Sequence, residues 1–153
     1  MKTVYKTSMF PASRDIVFSK LQELETLQYI AAPYATFTPL EPDDSIWTVG
    51  STTSYRFRLF GFIPFGTHVI HIERFDMDMV MSKERNEHVP VWNHTIYLKE
   101  QGNQTEYTDK VDIDAGWKTP FIYLWAKAFY AHRQKKWIRM LETMEQDAGQ
   151  DHS

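Results

Sequence analysis

The chain of 153 residues contains no cysteine. That excludes a disulfide framework, a thiolate nucleophile and a cysteine-based metal site. Basic excess is missing too: the formal net charge is −3 and the pI about 6.1, which gives a nucleic-acid partner no footing. The N-terminal MKTVYKTSMFPAS has no apolar core of signal-peptide length, and no run approaches a membrane span. A cytoplasmic protein with no membrane insertion is the expectation. In that setting the glycosylation patterns at Asn93-His94-Thr95 and Asn103-Gln104-Thr105 are chance matches. No HxH or HExxH spacing occurs, and His68 and His71, three apart on one strand, face opposite ways. Gly61, Gly66 and Gly102 fall at turns, not in a phosphate-cradling pattern. No metal and no cofactor are expected.

Aromatics are what the chain has in excess. Phe, Trp and Tyr make up 15% of residues within a hydrophobic total of 42%, more than a minimal core needs. One globular domain over residues 1–146, followed by a polar tail at 147–153, is expected.

The last stretch organises the rest. Thr119 as N-cap and Pro120 at the first helical position start a helix that no Gly or Pro interrupts before about Gln146. It would reach roughly 40 Å. Phe121, Trp125, Ala128, Phe129 and His132 share one face, which Ile122, Ala126, Tyr130 and Trp137 extend. Lys127, Gln134, Lys135 and Glu142 lie opposite, and the cluster His132-Arg133-Gln134-Lys135-Lys136 reads as the solvated side. Such a helix needs a concave apolar partner.

The preceding chain supplies strands. Thr3 to Phe10 is a strand; Ser13 caps a helix RDIVFSKLQEL; a second helical piece, Glu25 to Ala32, stops at Pro33. Tyr34 to Pro39 is a short strand, and Glu41-Pro42-Asp43-Asp44 a turn. From Ser51 to Phe60, Tyr55, Phe57 and Leu59 alternate with Ser54, Arg56 and Arg58. Arg56 and Arg58, with Arg74, then belong to a solvated outer face. Gly61 and Ile63-Pro64 break that strand; Gly66 to Phe75 makes the next, and Met79 to Arg85 a weaker one.

The clearest hairpin joins Val91–Glu100 to Gln104–Asp114 through Gly102-Asn103. A two-residue turn there sets Gln101 opposite Gln104, Leu98 opposite Tyr107, Ile96 opposite Asp109 and His94 opposite Val111. One face then carries Trp92, His94, Ile96, Leu98, Tyr107, Asp109, Val111 and Ile113. The other face is polar, so this one is the interior. The fold class is α+β: a curved antiparallel sheet of about six or seven strands wrapped around a long C-terminal helix, with two short helices after strand 1.

This order, and several local segments, resemble the SRPBCC superfamily of START-like or Bet v 1-like helix-grip proteins. The segments are Phe10-Pro11-Ala12-Ser13, Gly50-Ser51, Phe60-Gly61-Phe62-Ile63-Pro64-Phe65-Gly66, Trp92-Asn93-His94, Tyr107-Thr108-Asp109 and Ala115-Gly116. Phe129-Tyr130-Ala131-His132-Arg133 is similar to the tail helix of bacterial members labelled polyketide cyclase/dehydrase-like. The resemblance covers nearly the whole chain and implies a deep apolar cavity between sheet and helix. It carries no catalytic signature.

Expected ligand-binding residues are Tyr55, Phe57, Ile70, Ile72, Trp92, Ile96, Trp125 and Phe129 as apolar wall, with His94, Asp109 and Tyr107 orienting the ligand and His132 at the mouth. His94 and Asp109 sit diagonally across the hairpin. They serve equally as ligand partners or as a satisfied internal pair, and catalysis ranks below both. Tyr107 either donates to a ligand or is cavity wall. The expected function is a carrier or sensor of a hydrophobic small molecule: a lipid, an aromatic or a polyketide-like compound. The alternatives are a cyclase or dehydratase with His94 as acid/base, and a protein-interaction module using the Phe60–Phe65 turn. That turn serves an entrance or a homodimer contact equally, and core cover is a third role.

Overall fold

The computed structural model describes residues 1–40 and 48–150, with backbone alone over 146–150. The expected turn at residues 41–44 lies outside the described residues. The elements are β1 (Lys2–Phe10), α1 (Arg14–Leu21), α2 (Leu24–Ala31), β2 (Ala35–Pro39), β3 (Thr52–Leu59), β4 (Ile63–Phe75), β5 (Met79–Asn86), β6 (Val89–Gln101), β7 (Gln104–Asp114) and α3 (Thr119–Gln150). The seven strands form one antiparallel sheet in the order β1-β7-β6-β5-β4-β3-β2. Breaks in register at Arg56/Arg58, Ile72/Arg74 and Glu84/Asn86 bend the middle strands. The sheet curls over α3, which packs on β1, β7 and α2.

The β6–β7 register is the one the turn dictates: Gln101 pairs with Gln104, Leu98 with Tyr107, Ile96 with Asp109 and His94 with Val111. Gly102 turns at φ +63°, a left-handed conformation that suits Gly at a two-residue hairpin turn. All eight residues assigned to the inner face are buried.

Four local expectations need correction. Ser13 occupies the N-cap position of α1, but its side chain makes no capping bond. Thr119 is not the N-cap of α3: a 3-10 turn, Gly116–Lys118, precedes the helix, and Thr119 already has helical angles. Its hydroxyl instead accepts from Ala115 N–H (2.9 Å) and donates to Gly116 O (2.7 Å), tying the end of β7 to the helix start. β4 begins at Ile63 and not at Gly66, so Ile63-Pro64 opens this strand instead of lying in the break before it. Pro64 pairs with Arg58 of β3, while the β5 ladder starts only at Val69, so on that side no donor is needed.

The fourth correction is the rotation of α3. Phe121 is 67% exposed, whereas Ala126, Tyr130, Gln134, Trp137 and Leu141 form the buried stripe. Gln134 lies inside because its amide has partners there: its Nε2 donates to Lys6 O (2.7 Å) and to buried Asp109 Oδ2 (3.0 Å). Its Oε1 accepts from Ser8 Oγ (2.6 Å). The helix continues to Gln150.

Below the cavity the core is aromatic. Phe10 stacks on Tyr107 at 4.4 Å, and both pack on Trp137 at 5.5 and 5.8 Å. Trp137→Ala should therefore cost about 3–5 kcal/mol, read by urea unfolding. Trp117→Ala, at a site 80% exposed, should stay within about 0.5 kcal/mol. Equal costs would contradict this packing.

Candidate ligand-binding cavity

Between the inner sheet face and the middle of α3 lies a cavity of about 70 Å³. Tyr55 and Phe57 reach it from β3, Ile70 from β4, Val80 from β5, Trp92 and Ile96 from β6, Phe129 and Tyr130 from α3. Leu27 of α2 and Phe37 of β2 cover it. Its polar wall is His68, Ser82, Glu84, His94 and Arg133. Phe37, Glu84 and Arg133 are the lining residues that keep some solvent contact.

Seven expected ligand residues line this cavity: Tyr55, Phe57, Ile70, Trp92, His94, Ile96 and Phe129. Five lie elsewhere. Ile72 is fully buried in a cluster with Tyr55 and Ile70. Tyr107 is held in the Phe10–Trp137 sandwich, and Asp109 lies behind His94. Trp125 stacks on Phe129 at 4.7 Å and meets Trp92 at 6.2 Å. His132 Nε2 donates to Ala32 O (2.6 Å) and its ring packs on Tyr34, so it clasps α3 to the α2–β2 connection.

Sequence reasoning missed Glu84, Ser82, Val80, Tyr130, Arg133, Leu27 and Phe37, and considered His68 only as a metal ligand. Glu84 is the most consequential. Its Oε1 accepts from His68 Nε2 (2.7 Å) and its Oε2 from Ser82 Oγ (2.6 Å), while Oε2 also lies 3.5 Å from His94 Nδ1. On the far side His94 Nε2 donates to Asp109 Oδ1 (2.6 Å), whose other oxygen is taken by Gln134. A polar chain thus runs His68–Glu84–His94–Asp109–Gln134–Ser8 through the interior. A usable signal existed in β5, where Val80, Ser82 and Glu84 share one face. Pairing Ser82 with His94 and Glu84 with Trp92 sets them beside the inner face of β6.

Burial alone would raise the Glu84 carboxyl, but hydrogen bonds from His68 and His94, and their positive charge, hold it far below the usual carboxylate range. Burial alone would lower His94; its bonds to Asp109 and Glu84 outweigh that and raise it above 6.5. When protonated, His94 is an imidazolium between two carboxylates, with Nε2 donating to Asp109 and Nδ1 facing Glu84. His68 differs: Nε2 faces Glu84, and Nδ1 has no hydrogen-bond partner among the described residues. Packed near Phe57 and Trp92, His68 is the imidazole free to bond a ligand. Tyr130 stays a phenol, its ionisation pushed up by burial and by Glu84, and its oxygen accepts from Trp92 Nε1 (3.0 Å). Among the described residues no three His, Asp or Glu side chains are grouped as a metal site requires.

The Phe60–Phe65 turn stands outside the cavity. Phe62 is 74% exposed, while Phe65 packs inward on Phe57 and His88. No described helix is long and apolar enough to cross a membrane.

A curved antiparallel sheet holding a C-terminal helix, with two short helices after the first strand, is the helix-grip fold of START-like, SRPBCC-type proteins. The chain belongs to the family described as a domain of unknown function, DUF8410, whose model matches residues 11–141. No curated protein matches the chain in sequence. Among solved structures, a START superfamily protein from Mycobacterium smegmatis is similar at TM-score 0.71 and 14% identity, over 93% of this chain and 98% of that one. A protein from Chromobacterium violaceum superposes at TM-score 0.72 with 16% identity, covering 92% and 96% of the two chains. The Aha1 dimer from Colwellia psychrerythraea is similar at TM-score 0.67 and 14% identity, over 93% and 97%. At such identities the likeness is one of fold.

Proposed function

We propose that this protein binds a hydrophobic small molecule in the cavity between the sheet and α3, as a carrier or sensor. The observation that carries this reading is the cavity's two-sided wall. Ten aromatic and aliphatic side chains surround it, and its polar groups are gathered on His68, Ser82, Glu84, His94 and Arg133. A well-packed core closes such space unless something uses it. The fold likeness to a START superfamily protein agrees with this reading.

The size of the cavity adds a condition. At about 70 Å³ it is smaller than the roughly 150 Å³ cavity that takes up benzene. A ligand of aromatic size must displace a side chain on entry, and half-buried Phe37 is the apolar lining residue with most freedom to move.

Filling the space tests the reading. Val80→Phe places a ring in the cavity, so saturable binding of the neutral probe N-phenyl-1-naphthylamine should weaken about tenfold or more while the protein stays folded. Probe fluorescence and a melting curve read both properties. A Val80→Phe protein that binds as tightly as wild type would place the probe elsewhere and contradict the proposal.

A further inference from the structure

We infer that the cavity's ligand carries an anionic group, in the simplest case a carboxylate, and that the guanidinium of Arg133 holds it. This rests on the cavity reading above and adds the charge class of the ligand.

Arg133 lies one turn beyond Tyr130 on α3 and lines the cavity. Its guanidinium lies within cation–π distance of the rings of Tyr130 (5.1 Å to the centroid) and Phe129 (5.6 Å). Among the described residues it makes no hydrogen bond and no ion pair, and Nε is shut off from solvent without a partner. A guanidinium offers five N–H donors in a rigid fork. The donor on Nε is the one cut off from solvent, and leaving it unused at a cavity wall is costly unless something else takes it.

The neighbouring carboxylates do not. Both oxygens of Asp109 are engaged, by His94 and by Gln134, and both oxygens of Glu84, by His68 and Ser82. They raise the Arg133 pKa against the effect of burial, so the group is charged, but they act through space. A carboxylate entering the cavity would meet an unsaturated cation at hydrogen-bond distance. Glu84 itself lines the cavity, but its oxygens are already bonded to His68 and Ser82 with His94 3.5 Å away, and Asp109 acts from behind His94. The contact term wins because charge-assisted, bidentate bonds are short and directional. With Phe57 and Ile70 supplied by the sheet and Phe129 beside the guanidinium, the ligand class is a compact amphiphilic anion, such as an aromatic or short branched carboxylic acid.

A pair of isosteres separates charge from shape. 2-Naphthoate and 2-naphthamide share a skeleton and differ in the charge of the head, and calorimetry measures each against the full-length protein. Wild type should bind the naphthoate roughly tenfold or more tightly than the amide. Arg133→Met should bring that ratio to about one by weakening the acid, with the amide changed less than about threefold. If wild type binds both equally, or the amide better, the anion assignment is overturned while the cavity reading stands. If wild type binds neither, both fall. The wild-type ratio needs no variant; if Arg133→Met is insoluble, Arg133→Gln supplies the comparison.

Discussion

Asp109→Leu should destabilise the fold by about 3–5 kcal/mol, the usual cost of removing one partner from a buried, hydrogen-bonded charge pair. Asp109 is fully buried and accepts from His94 Nε2 at 2.6 Å and from Gln134 Nε2 at 3.0 Å. Leucine fills the volume but leaves the His94 Nε2–H and one N–H of the Gln134 amide without their buried acceptor, although Gln134 still reaches Lys6 O and His94 Nδ1 still faces Glu84. The loss passes along the chain: Gln134 also holds Lys6 O and Ser8 of edge strand β1. The strand and helix that close the domain are therefore fastened through this carboxylate. Urea unfolding gives the number, with Glu106→Ala, half-buried on the outer face of β7, as a control expected to stay within about 0.5 kcal/mol. A loss below about 1 kcal/mol for Asp109→Leu would mean that the network is incidental to the fold.

The second large effect is on pH dependence. His94 is raised above its ordinary 6.5, so its contribution is fully present below pH 6.5 and is lost as pH rises through the folded value. Glu84 is lowered below 4.5, so its contribution is fully present above pH 4.5 and is lost as pH falls through the folded value. The two ranges overlap between about 4.5 and 6.5, where the network stabilises most. Above that window stability should fall, by up to about 1.4 kcal/mol per pH unit for the single proton on His94. Melting curves from pH 6 to 9 should show the decline in wild type and a nearly flat line in His94→Gln. An equal slope in both proteins would remove His94 as its source.

The sheet could be read from the chain because its strongest signals are local. Gly102-Asn103 fixes a two-residue turn, and with period-two side chains one fixed pair sets all the others. His94 and Asp109 followed, and the structure joins them at 2.6 Å. β5 hid its role because its inward residues Ser82 and Glu84 are polar; a strand polar on both sides gives no clue to which face is buried. Their partners His68 and His94 come from the flanking strands, so the environment that makes Glu84 tolerable exists only once β4, β5 and β6 lie side by side.

The helix failed differently. Phe121, Leu124 and Trp117 are apolar yet exposed, whereas Arg133 and Gln134 are polar yet turned inward. An apolar arc broad enough to include both Phe121 and Trp137 leaves the rotation of α3 open by about one residue. What settles it is tertiary: Gln134 reaches Lys6 and Asp109, and Trp137 fills the space beside Phe10. That rotation carried Tyr130 and Arg133 to the cavity and set Trp125 and His132 to its side.

Occupancy of the cavity is the claim on which the rest depends, and a methyl-resolved NMR titration with 2-naphthoate tests it at the level of single side chains. Saturable shifts should appear at Leu27, Ile70, Val80 and Ile96, with Val4 and Leu141, buried away from the cavity, unmoved. Saturation without shifts at those four residues, or shifts confined to the exposed Ile63 at the start of β4, would contradict the account.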